Sequence, residues 1–147
     1  MDTTVMLICN APDERCWELA FLRAAPNVSL RVVHSATESQ AYLSGVGAYA
    51  DRASYPMPRL ILVDLDAEQR TGFEVLEWLK AQPGLMQIPV FVLTSAGESS
   101  DVDQAYALGA SSCLLRSMSQ KAARDLAKGI EAYAGLLTPD VGQAARA

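Results

Sequence analysis

The chain has 147 residues, half of them hydrophobic and 20% charged, with a formal net charge of -5; that is the size and composition of one globular domain able to bury its own core. The acidic balance argues against a nucleic-acid or anionic-membrane surface, both of which need a concentrated basic patch. No apolar run nears the roughly 20 residues of a membrane span, and no basic segment precedes a long apolar one at the N-terminus, so a cytoplasmic domain without membrane contact is expected.

The run from Val5 to Cys9 is short and apolar and reads as a strand. Beyond Asn10, Pro12-Asp13-Glu14 places a proline and two acids where a helix N-terminus favours them, and Cys16, Leu19 and Ala20 then share one helical face. The second strand, Ser29 to Val33, is mixed around Leu30-Arg31-Val32, as suits a sheet edge. Thr37-Glu38-Ser39-Gln40 has capping-box spacing ahead of a short amphipathic helix. The stretch from Gly45 to Pro58 is long for a helix-to-strand connection and should hold extra helix or an exposed loop.

Arg59 to Asp64 and Ile88 to Thr94 contain the unbroken apolar runs Leu60-Ile61-Leu62-Val63 and Val90-Phe91-Val92-Leu93. Strands of that kind are buried on both faces, as in a parallel sheet covered by helices. Between them, Phe73, Leu76 and Leu79 follow Gly72 at helical spacing, and Pro83-Gly84 ends that helix. Ser100-Asp101-Val102-Asp103 opens another helix, with Gly109 as the residue past its end. Ser112 to Arg116 reads as a fifth strand. The last helix starts at about Ser119, with Leu126, Ile130, Tyr133 and Leu137 on one stripe. This gives one domain over residues 1–137 and a loosely held tail over 138–147.

Strand and helix alternate five times without internal repeat. That calls for an α/β domain with a five-stranded parallel sheet and right-handed crossovers, in the flavodoxin-like order 2-1-3-4-5. Such sheets bind ligands at the carboxyl ends of their strands, which here read Cys9-Asn10, Asp64, Thr94-Ser95 and Arg116. A carboxylate that closes an apolar run is costly to bury unless paired, so Asp64 should lie at the mouth of the sheet. Cys9, Cys16 and Cys113 form no CxxC pair and read as small buried hydrophobes. His34, the single histidine, reads as a surface residue, and Trp17 and Trp78 as partly buried packing.

Over about residues 4–137 the chain resembles the receiver domains of bacterial two-component response regulators. Leu60-Ile61-Leu62-Val63-Asp64-Leu65-Asp66, with Gly72 a fixed step later, resembles the strand that carries the phosphoacceptor aspartate. Ile88-Pro89-Val90-Phe91-Val92-Leu93-Thr94-Ser95 resembles the strand ending in the switch hydroxyl. Ala105-Tyr106-Ala107-Leu108-Gly109-Ala110 resembles the A-x-x-x-G-A segment before the last strand, and Arg116 stands where the family has its lysine. Gly47-Ala48-Tyr49-Ala50-Asp51 further resembles the single-domain subgroup that includes phytochrome-associated regulators.

The resemblance implies a non-enzymatic phosphorelay component whose catalytic positions are Asp64, Thr94 and Arg116, with Mg²⁺ as cofactor. Its departures weaken that site. The two acids that receivers carry after the first strand are Cys9 and Asn10 here, leaving Asn10, Asp64 and Asp66 as a thin metal set. Arg116 keeps the lysine's charge but favours a lasting bidentate pair, with Asp64 as its natural partner. The proline after the lysine is Ser117, the switch aromatic is Cys113, and the proline four residues past the acceptor is Glu68.

The expectation is a receiver with no output domain in this chain, acting by protein contact, with phosphorylation at Asp64 weak or lost. Its partners would be a sensor histidine kinase or another signalling protein, or a second copy meeting it through the face from Ser100 to Leu137, with no nucleic acid involved. A fully phosphorylatable receiver with compensating ligands among Asp13, Glu14 and Asp66 is the alternative. Asp64-Leu65-Asp66 also resembles the nucleophile motif of small haloacid-dehalogenase-type phosphatases, and Cys9 admits a redox-sensor reading.

Overall fold

The computed structural model describes residues 3–65, 71–94, 99–115 and 119–137. Five strands, β1 (Thr3–Ile8), β2 (Val28–Val33), β3 (Leu60–Asp64), β4 (Val90–Thr94) and β5 (Ser112–Leu115), alternate with five helices. These are α1 (Ala11–Ala24), α2 (Ala36–Ser44), α3 (Thr71–Lys80), α4 (Ser99–Ala107) and α5 (Gln120–Leu136). The strands pair in parallel in the order β2-β1-β3-β4-β5, as expected. Asp66, Glu68, Ser95, Arg116, Ser117 and the tail over 138–147 lie outside the described residues.

The core has two layers because strand side chains alternate between faces. Met6, Ile8, Ile61, Val63 and Val92 pack under α2, α3 and α4 with Phe73, Val75 and Leu76. Val5, Leu7, Leu60, Leu62 and Leu93 pack under α1 and α5 with Trp17, Phe21 and Ile130. Every residue of β3 and β4 is buried, the two-sided burial that their unbroken apolar runs imply.

Several local expectations shift. In α1 the inward stripe is Trp17, Ala20 and Phe21, and Cys16 is exposed, not a buried hydrophobe. The two large rings set the helix rotation because they carry most apolar area; their centroids lie 6.4 Å apart. Trp17 is accordingly almost wholly buried, while Cys9 is buried and Cys113 half-buried.

The cap of α2 is Ser35, whose hydroxyl accepts the Glu38 N–H at 3.0 Å, so the capping-box serine stands two residues before Thr37. The inward face of α5 is Ala123, Ala127, Ile130 and Ala134. The larger Leu126, Tyr133 and Leu137 sit at its margin, since small side chains let α5 lie close to α1; Tyr133 instead packs its ring on Phe91, centroids 4.8 Å apart. The long connection after α2 holds a 3-10 turn at Gly47–Tyr49. Among the described residues no helix is long and apolar enough to cross a membrane.

Gly72 has a definite geometric reason. A Cβ there would stand 2.7 Å from Val63 Cγ1 and 2.8 Å from Leu65 Cδ2, so only glycine lets the first turn of α3 close over the end of β3. Gly72→Ala should lower the unfolding free energy in urea by about 1–3 kcal/mol through overpacking; unchanged stability would contradict this contact. The cysteine burials predict a graded reaction with Ellman's reagent in the folded protein. Cys16 should react as a free thiol, Cys113 slowly because burial pushes its thiol pKa up, and Cys9 only on unfolding.

Candidate functional site at the strand ends

Parallel register decides which side chains meet at the carboxyl edge of the sheet. Ile8 pairs with Val63, so Cys9 lies one step on, beside Asp64. Asp64 pairs with Leu93, and the Leu65 N–H donates to the Leu93 carbonyl at 2.9 Å, so Thr94 falls one step beyond. Thr94 pairs with Leu115, the residue that precedes Arg116 in sequence. Cys9 and Asp64 are both 0% exposed and Thr94 is 5% exposed.

The fold thus brings Cys9, Asp64 and Thr94 to one edge. It also corrects the expected surroundings of Asp64, which terminates β3 but is fully withdrawn from water. The first turn of α3 covers this strand end, and Gly72 would place a Cβ only 3.5 Å from the Asp64 carbonyl oxygen. A carboxylate in such a position requires a charged or hydrogen-bonding partner.

Asn10 is the N-cap residue of α1, half-buried, with no capping bond from its side chain; its carbonyl accepts the Asp13 N–H at 3.0 Å. Asp13 and Glu14 follow in the first turn. Glu14 Oε1 is hydrogen-bonded to Nε2 of His34, the residue just after β2. His34 is a surface residue as expected, but its tie to Glu14 was not visible in the sequence. The indirect signal is topological, since order 2-1 sets the end of β2 beside the start of α1. Tyr106 was missed in the same way. Its hydroxyl accepts the Cys113 N–H at 3.1 Å, linking α4 to edge strand β5 at the position where a switch aromatic was expected.

Among the described residues the strand-end donors are a poor set for a magnesium ion, and Asp66, the remaining candidate, lies outside them. Mg²⁺ demands near-octahedral oxygen ligands, and the strand-end set among the described residues is one thiol, one neutral amide and one carboxylate. No three His, Cys, Asp or Glu side chains among the described residues come together as a metal set. Among the described residues the strand ends thus bring one carboxylate and one hydroxyl, Asp64 and Thr94, to the same edge.

Known proteins share this fold and sequence pattern. The family model for the response regulator receiver domain matches residues 22–128, beginning within α1 and after the Cys9-Asn10 strand end. The response regulator Rcp1 of Synechocystis sp. is 34% identical over 104 residues, which cover 71% of this chain and 69% of Rcp1. The solved structure of the phosphorylated cyanobacterial phytochrome response regulator RcpA superposes with a TM-score of 0.78 at 28% identity, covering 90% of this chain and 94% of that one. The Mn(2+)-bound form of Rcp1 gives 0.74 at 28% identity, covering 93% and 96%. The matched span, the strand order and the shared fold together establish that this chain belongs to the response regulator receiver domain family of two-component signalling.

Proposed function

We propose that this receiver signals by protein contact, with Asp64 at the phosphoacceptor position and phosphorylation slow or lost. The observation that carries the reading is that two wholly buried residues, Asp64 and Cys9, stand at adjacent strand ends, each one step beyond the pair Ile8 and Val63. An uncharged thiol stands where the family resemblance expects an acid. Phosphoryl transfer to a carboxylate depends on positioning and on neutralising charge, and Cys9 and Asn10 supply no charge to attract a divalent ion.

In this reading Thr94 is the hydroxyl that would meet a phosphoryl oxygen, and Arg116 replaces the lysine. An Asp64–Arg116 pair would satisfy the buried carboxylate and keep it ionised. Asn10, Asp64 and Asp66 are the remaining candidates for a metal, and we assign Mg²⁺ no step. The alternative, a fully active receiver with compensating acids, is disfavoured by the engagement of Glu14 with His34. Family membership leaves the phosphatase reading without support, and burial of Cys9 weakens the redox reading.

Response regulators of this family take their signal from sensor kinases, and the naming of RcpA as a phytochrome response regulator points to a photoreceptor kinase as the partner here. The contact face we assign is α4, β5 and α5, from Ser100 to Leu137, where Tyr106, Tyr133 and Leu136 are exposed. A second copy of the chain is a further candidate for that face.

Incubation with Mg²⁺ and acetyl phosphate, followed by intact mass measurement, tests the proposal. The phosphoryl adduct should form about a hundredfold or more slowly than in a receiver with the paired acids. Rapid stoichiometric phosphorylation, abolished by Asp64→Asn, would overturn it.

A further inference from the structure

Away from the strand tips, the edge strand β2 and the segment after α2 enclose a cleft of about 280 Å³, lined by residues 30–33 and by Tyr42, Tyr49 and Tyr55. Its walls follow from strand geometry. Val33 packs into the layer under α2, so Arg31, two residues earlier, faces the same side. The Cys9 N–H bonds to the Val33 carbonyl and the Thr3 N–H to that of Asn27, so odd-numbered residues of β2 turn their peptide groups toward β1. Leu30 and Val32 therefore turn theirs outward, along the open edge of the sheet.

The tyrosines are held in place by Arg52. Its guanidinium donates to the carbonyls of Tyr42 at 2.7 Å, Leu43 at 2.9 Å and Tyr55 at 3.2 Å, and it stacks over the Tyr42 ring. The three rings pack together with centroids 5.0 to 5.8 Å apart. Tyr42 spends its hydroxyl on the Pro56 carbonyl at 2.9 Å. The hydroxyls of Tyr49 and Tyr55 have no hydrogen-bond partner among the described residues.

Arg31 contrasts with the saturated Arg52. Its Nε is buried without a hydrogen-bond partner, and a buried charged donor left unmatched is costly. The cleft thus combines a cation with an orphaned donor, two phenols and outward backbone N–H groups, and no carboxylate lines it. Burial also holds the Tyr42 and Tyr49 phenols above their ordinary pKa, with Glu38 adding to the effect at Tyr49, so both stay protonated.

We propose that this cleft binds a small organic oxyanion, its carboxylate or phosphate head on Arg31 and its body against Tyr49 and Tyr55. The volume lies at the small end of ligand pockets, which limits the body to about one ring. None of the lining residues belongs to the Asp64 site, so the two proposals stand or fall separately.

The test is amide NMR titration of the full chain, at constant ionic strength, with benzoate, phenyl phosphate, inorganic phosphate and neutral benzamide. Benzoate or phenyl phosphate should shift the amides of residues 30–33, Tyr49 and Tyr55 saturably, and the tighter of the two assigns the head group. Arg31→Gln should weaken binding about tenfold or more, as loss of a charge-assisted bond requires. Tyr55→Phe, which keeps the ring and so the fold, should weaken it about fivefold. The proposal is overturned if neither organic anion gives saturable shifts there, if benzamide or inorganic phosphate binds as tightly, or if both variants bind undiminished.

Discussion

β3 hydrogen-bonds to β1 on one side and to β4 on the other, and each of its five residues is buried. This two-sided pairing fixes the position of residue 64, because a slip of one residue would break the hydrogen bonds to both neighbours and exchange the side chains fitted into the two close-packed layers. Gly72 seals the arrangement by letting α3 close over the strand end. Asp64 is therefore a carboxylate held out of water by the packing of the sheet and of α3 over its end. On the β1 side the neighbour is Cys9. At about 4 Å and an effective dielectric constant of about 20, a unit-charge pair is worth about 4 kcal/mol, and twice that for a divalent ion. Replacing acids by a thiol and an amide thus removes a large part of the attraction that would seat such an ion.

Much of this was legible in the sequence. Leu60-Ile61-Leu62-Val63 and Val90-Phe91-Val92-Leu93 are apolar on both faces, so they had to be interior parallel strands, and the residues closing them, Asp64 and Thr94, had to share an edge. What the sequence obscured were choices between nearly equivalent local options. Ser35 and Thr37 both offer a hydroxyl near the start of α2, and the cap falls to Ser35, whose backbone is extended while Thr37 already lies inside the helix. Cys16 and Trp17 are adjacent, and the larger buried area turns the helix toward Trp17. In α5 three alanines face inward with Ile130, while Leu126, Tyr133 and Leu137 stand at the margin, because close approach to α1 is worth more there than side-chain volume. The pairings of Glu14 with His34 and of Tyr106 with Cys113 join residues brought near only by tertiary structure, and no spacing rule reports them.

The segment from Gly45 to Pro58 shows how a long connection becomes structure. Arg52 donates to two carbonyls at the end of α2, that of Leu43 and that of Tyr42, which also accepts the Gly45 N–H, and in doing so places three tyrosines at the sheet edge. Gly45, at φ 68°, makes room: a Cβ would stand 2.8 Å from an Arg52 guanidinium nitrogen. The same segment carried the sequence resemblance to phytochrome-associated regulators, so a subgroup feature coincides with the cleft proposed to take an anion. Two regions with different chemistry thus flank the sheet, a tip where Cys9 and Asn10 stand beside Asp64 and a donor-rich edge at β2.

The central claim of the proposed function is electrostatic, and calorimetric titration with Mg²⁺ addresses it most directly. No saturable heat should appear at concentrations that load a receiver with its paired acids, and the Cys9→Asp, Asn10→Asp double variant should gain binding. Tight binding by the unaltered chain, lost on Asp64→Asn, would contradict it.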